Sequence, residues 1–126
     1  MRLIGEFYRE KILSLESAAV KKRELPVIAQ DARIMKGLFG WGLYSGKECM
    51  ECRSETEAQY LKIMADFGYQ EVMVPVSDEY IKEFLPELEK IRNKSMTIIE
   101  DILQTILNRK IREKIKYEVF AEITKI

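Results

Sequence analysis

The chain of 126 residues contains no histidine. That absence removes the commonest general base, the commonest transition-metal ligand and the usual switch at physiological pH. It also excludes every Ser-His or Cys-His mechanism assembled within one chain. Cysteine is scarce: Cys49 and Cys52 lie in one short motif, too few and too close to frame a secreted disulfide scaffold. Asparagine is limited to Asn93 and Asn108, which with 33% charged residues leans toward a thermophilic composition. No run approaches 18 consecutive apolar residues, and Met1 to Glu10 mixes charge into its apolar pattern, unlike the apolar segment of a signal peptide. Neither sign of charge dominates, with 21 Lys plus Arg against 21 Asp plus Glu, so the whole-molecule field steers toward neither nucleic acid nor an anionic membrane. The composition leads us to expect a soluble cytoplasmic protein without a membrane partner or cofactor, and one that is not an enzyme.

What the sequence does have is apolar residues at helical spacing. Ile81, Phe84, Leu88, Ile91, Ile98, Ile102 and Ile106 recur every three or four positions, with one step of seven from Ile91 to Ile98, and Leu107, Ile111, Ile115, Val119 and Ile123 continue at four. One helix over Ser77 to Ile126 would run roughly 75 Å, against a radius of gyration of about 14 Å for a domain of this size. The region must therefore fold back or find a partner. Hydrophobic residues make up 47% of the chain, enough for one core, so 1–126 reads as a single domain with a globular part over 1–76 and a helical oligomerisation or partner-binding region over 77–126.

Local signals place the elements. Leu3, Ile4, Phe7, Tyr8, Ile12, Leu15 and Ala19 share one side of a helix from residue 3 to about 22, ended by Glu24-Leu25-Pro26. Val27-Ile28-Ala29 suits a short strand, and Ile34 to Phe39 is ambiguous. Gly40 to Tyr44 and Glu48 to Cys52 flank Ser45-Gly46-Lys47 as a β-hairpin. Ser54-Glu55-Thr56-Glu57 has the form of a reciprocal capping box, opening a helix that ends at Gly68. Glu71 to Val76 follows as a strand whose Pro75 favours its edge or end. Ser77-Asp78-Glu79 caps the next helix, which Pro86 should break or kink near Leu85. Residues 115–126 fit helix better than strand. The fold class is α+β: an N-terminal helix, a small, mostly antiparallel sheet with a hairpin-helix-strand block, and a long helical C-terminal region.

Four sets of residues invite a functional reading. Cys49 and Cys52 form a C-x-x-C that supplies two sulfurs; two copies of the chain could complete a four-sulfur zinc site, and a redox pair is the alternative. The plainer reading is a strand with Met50 and Cys52 inward and Cys49 and Glu51 outward. Trp41, Phe39, Tyr44, Tyr60, Phe67 and Tyr69 read as the packed centre of a sheet-and-helix layer rather than a ligand pocket. Gly37, Gly40, Gly42 and Gly46 match no phosphate-cradling spacing. Arg109, Lys110, Arg112, Lys114 and Lys116, opposed by Glu113, give +4 over eight residues and could contact nucleic acid.

The order helix, strand, hairpin, helix, strand, with Glu51-Cys52-Arg53 in the hairpin's second strand, resembles the core of the restriction-endonuclease-like nucleases. There a strand bearing Glu-x-Lys follows an Asp on the neighbouring strand, and together they hold Mg²⁺. The resemblance implies Glu51 as metal-binding acid and Arg53 in the lysine's place. The strand Gly40 to Tyr44 contains no Asp, and the nearest upstream acid is Asp31.

Charge favours assembly over these uses. Asp78 to Lys90 carries five acids against two lysines, so two copies laid antiparallel about Ile98 would bring each acidic end onto its partner's basic Arg109–Lys116. The expected role is a homo-oligomer joined through Ile81, Phe84, Leu88, Ile91, Ile98, Ile102 and Ile106.

Overall fold

A computed structural model of the chain describes residues 2–25, 32–45 and 48–125. Helix α1, Ile4–Tyr8, widens into a π-helical turn over Arg9–Leu13 and buries Ile4, Phe7, Tyr8 and Ile12. The helix expected to reach residue 22 ends here. A 3₁₀ turn, Ser17–Ala19, leads into strand β1, Val20–Glu24. Lys-Lys-Arg-Glu has ordinary helix propensity, but pairing with a distant strand overrides it, since a few tenths of a kcal/mol per residue are easily outweighed by ladder and packing terms. The expected strand Val27-Ile28-Ala29 lies outside the described residues.

Strands β2, Arg33–Gly37, β3, Gly40–Ser45, and β4, Glu48–Cys52, form an antiparallel sheet in that order. The ambiguous stretch after Ile34 thus begins as strand, with Lys36 opposite Trp41 and Trp41 opposite Cys52. Helix α2, Glu55–Asp66, starts at the expected cap, the Glu57 N–H donating to Ser54 Oγ at 3.1 Å. The box is not reciprocal, because the Glu57 carboxylate accepts from the Arg53 N–H instead. Gly68, at φ +85°, ends the helix, with Gly68 and Tyr69 N–H groups donating to Ala65 and Met64 carbonyls in a Schellman arrangement.

Strand β5, Glu71–Pro75, pairs antiparallel with β1 from Val20–Pro75 to Glu24–Glu71, so Pro75 closes the strand's end as expected. Helix α3, Asp78–Gln104, is capped by Ser77 Oγ accepting the Tyr80 N–H. It passes through Pro86 without the expected break. Pro86 and Lys82, whose carbonyl loses its helical donor there, are both exposed, while Phe84, Leu85 and Leu88 are buried and hold the helix on the core. The break comes after Thr105, and the Asn108 side chain caps α4, Arg109–Ile123, by accepting the Lys110 and Ile111 N–H groups. The final segment is helical.

The core joins α1, α2, β5 and the first half of α3. Phe84 is its hub, with Phe7, Tyr80 and Tyr60 meeting its ring edge-to-face at 5.3, 5.4 and 5.9 Å. Tyr60 and Phe67 are buried as the aromatic cluster predicts, but Phe39 is fully exposed. Helix α4 folds back so that Phe120 meets Phe67 edge-on at 6.4 Å and the Tyr69 hydroxyl donates to the Thr124 carbonyl at 3.3 Å. None of its side chains is fully buried.

Gly5 sets how closely that return can approach. A Cβ at Gly5 would collide with the Lys125 carbonyl, so the α4 end seats against bare α1 backbone. Gly5→Ala should therefore lift the end of α4 and cost about 1–3 kcal/mol, outweighing alanine's better helix propensity. Faster hydrogen exchange over residues 115–125 is the expected readout, and unchanged exchange with unchanged stability would contradict this packing.

Candidate functional site

Glu57 is wholly buried, and a carboxylate so placed needs charged partners. Arg23 Nη1 donates to its Oε1 at 2.8 Å, and the Arg53 N–H reaches the same oxygen at 3.2 Å. Arg53 Nη1 and Lys21 Nζ stand 3.4 and 3.6 Å from Oε2. Period-two alternation along β1 presents Lys21 and Arg23 on one face, while Arg53 precedes the Ser54 cap by one residue. The network extends outward. Arg23 Nη2 donates to the Glu51 carbonyl at 2.7 Å, and Arg53 donates to the Pro75 carbonyl and, through Nε at 3.0 Å, to Asp78 Oδ1.

Burial raises the Asp78 pKa, but hydrogen bonds from Arg53 and Ser54, with the charges of Arg53 and Lys82, outweigh it and hold the carboxyl below its ordinary value. This contribution to stability is present above the unfolded carboxylate pKa of about 3.9 and is lost as pH falls through the lower folded value. The cluster ties both sheets to the starts of α2 and α3. With its oxygens surrounded by those cations and closed to solvent, Glu57 acts as a structural clamp.

The residues singled out in the sequence fall around this clamp. On β4, Cys49 and Glu51 face outward and are exposed, Met50 is buried and Cys52 half-buried, so the strand alternation holds. Both cysteines are free thiols, and Cys52 lies 3.6 Å from the Met50 carbonyl. Burial, reinforced by the Glu57 charge, pushes the Cys52 thiol up to about 11. Glu51 stands opposite Gly42, and its neighbour β3 carries no carboxylate. Arg53 is turned to Glu57 and Asp78, and Asp31 lies outside the described residues. Among the described residues no three His, Cys, Asp or Glu side chains are grouped to hold a metal.

The apolar seam divides in two. Ile81, Phe84, Leu88 and Ile91, expected at an interface between copies, are instead covered by the chain's own core, because α1 and α2 close over the first half of α3. Beyond Ile91 the stripe opens. Ile98 and Ile102 are 49% and 40% exposed, Ile106 is half-buried, and Leu107 and Ile111 just beyond are 98% and 49% exposed. Arg109, Lys110, Arg112 and Lys114 are exposed along α4, while Lys116 is half-buried with its ammonium 5.7 Å over the Phe120 ring.

Two buried acids escape a linear reading. Asp66 Oδ2 accepts from Arg92 Nε at 3.1 Å and lies 3.4 Å from Lys62 Nζ, beside a shallow cleft of about 260 Å³ between α2 and α3. Glu57 hides inside the capping box, where the motif suggests a surface residue. The available signal was Lys21 and Arg23 at strand spacing, two cations on one face of β1. No helix among the described residues is long and apolar enough to cross a membrane.

Glu57→Gln removes the charge holding three cations and should cost about 2–3 kcal/mol, since those cations are partly exposed and can recover some hydration. Urea unfolding should show a lower midpoint at an unchanged slope, and an unchanged midpoint would show the clamp to be inert. Thiol labelling of the folded protein should modify Cys49 well before Cys52. The raised Cys52 value gives stability that is complete below the unfolded thiol pKa of about 8.5 and lost as pH rises from there toward about 11. Equal labelling rates would contradict the placement of β4.

No family model, curated protein or solved structure matches the chain, so its own side chains are the guide to what it does.

Proposed function

We propose that the protein is a non-enzymatic self-association module whose copies meet at the elbow between α3 and α4. The observation carrying this reading is the exposure of Ile98, Ile102, Leu107 and Ile111 at one end of a helical pair whose other end is packed. Apolar side chains gathered there gain by leaving water together, at roughly 25 cal/mol per Å² buried. Helix α4 adds a second reason. A 15-residue helix is marginal alone in water, and α4 fully buries none of its side chains within the chain.

The charges favour a second copy as the occupant. The last turns of α3 carry Glu100 and Asp101, and the start of α4 carries Arg109, Lys110 and Arg112. Those cations oppose the positive end of the α4 dipole, so neighbouring acids relieve them. A two-fold antiparallel contact sets each copy's acids against its partner's cations, and its isologous symmetry closes the assembly as a dimer. The seam proposed for contact is thus shorter than the Ile81–Ile106 stripe.

Ile98→Glu and Ile102→Glu replace exposed residues, so the monomer fold should survive. Each should weaken association by about 2 kcal/mol, roughly thirtyfold in Kd, through an uncompensated carboxylate in the seam. Light scattering at tens of micromolar checks this. A monomeric wild type, or an oligomer indifferent to both substitutions, would refute the elbow contact.

A further inference from the structure

Leu38 and Phe39 form the loop of the β2–β3 hairpin, closed by the Gly37–Gly40 pair, and are 96% and 100% exposed. Tight hairpin loops are ordinarily made from small or polar residues such as Asn-Gly. Here the positive φ falls on Gly40, at +121°, and the loop itself carries two large apolar side chains. Buried against nothing among the described residues, these side chains are not explained by the fold, and a departure from local turn chemistry of this kind marks a place where something else is served.

Behind the tip the side chains are graded. Lys36 pairs across the ladder with Trp41, its ammonium 5.9 Å over the indole, and the exposed Met35 and Arg33 follow on the same strand. Two residues of strand set the Lys36–Trp41 level about 7 Å behind the tip. An interfacial anchor sinks its apolar face about 5–10 Å into a bilayer, with tryptophan at headgroup level. Arg33 and Lys36 are the charged residues of the segment 32–45, and the nearest acid on the sheet, Glu51, stands opposite Gly42, one pair behind Trp41. Membrane attraction acts within a Debye length of about 10 Å, so this local charge counts despite a net charge of zero.

We propose that the hairpin tip docks on an anionic lipid surface. Leu38 and Phe39 enter the interface, Trp41 lies among the headgroups, Lys36 faces the phosphates, and Arg33, three residues further back, adds attraction from a distance. The charges disfavour a second copy as occupant. Tip against tip opposes like cations, and the elbow, with Glu100 and Asp101 beside Arg109, Lys110 and Arg112, offers no excess of acid to receive it. A convex knob of two side chains also falls well short of the roughly 800 Å² per partner of a stable protein interface.

Trp41 is the sole tryptophan, so its emission reports the tip directly. The full chain is mixed with vesicles of phosphatidylcholine alone and with vesicles that also contain phosphatidylserine. The expected result is a blue shift and co-sedimentation with the anionic vesicles, weakened by added salt and by Lys36→Glu. The double variant Leu38→Asp/Phe39→Asp should bind at least about tenfold more weakly. Circular dichroism identical to wild type is expected, because the replaced side chains are almost wholly exposed. No shift with anionic vesicles, equal binding to neutral ones, or binding indifferent to the double variant would each overturn the proposal. A blue shift that grows with protein concentration in the absence of lipid, and vanishes in the double variant, would overturn it in favour of a protein contact.

Discussion

The carboxylate of Glu57 is the constraint on which the arrangement of elements depends. A charge buried that deeply is tolerated only where cations are fixed around it, and here they come from β1 and from the turn before α2. The same guanidinium that touches Glu57 reaches Asp78 and the Pro75 carbonyl, so the end of β5 and the first turn of α3 are located by one side chain, Arg53. Among the described residues the two small sheets share no backbone ladder. Their relation is held by this polar clamp on one side and by the Phe84-centred core on the other.

With its start fixed, α3 divides its apolar stripe by depth. Ile81 to Ile91 complete the core, Ser95 and Ile99 stay buried beyond it, and Ile98 and Ile102 lie open beside them. Helix α4 returns from that free end and is seated by a few contacts at its far end: Phe120 on Phe67, Tyr69 on Thr124, and the approach over Gly5. The elbow between those anchors is therefore the least supported part of the helical region, and it is where apolar exposure and opposed charges coincide. The Leu38–Phe39 tip is similarly unsupported, but its charge is of one sign.

Features written in local chemistry were legible in the sequence. The Ser54 and Ser77 caps, the left-handed Gly68, the Gly40–Cys52 hairpin and the β5 strand each depend on residues within a few positions, and each is present, though the Ser54 box closes in one direction only. What escaped depends on distant partners. Strand β1 pairs with a strand some fifty residues on, and its charged residues carry helix propensity until that partner is present. Pro86 signals a break or kink, and packing on both sides of it carries the helix through unbroken. The seam's first half looked uncovered because no local pattern says that α1 will lie against it. Glu57 and Asp66 needed cations 34 and 26 positions away before they read as buried. The cysteine alternation was visible, whereas the Glu51–Arg53 motif carried no sign that Arg53 would be turned inward.

Concentration-dependent hydrogen exchange tests self-association at the elbow most directly. Amides from Ile98 to Arg112 should become slower to exchange as protein concentration rises from the low to the high micromolar range, while those around Ile81 and Leu88, already buried within one chain, should not change. Exchange over Ile98 to Arg112 that is fast and independent of concentration would show that the exposed elbow meets no second copy.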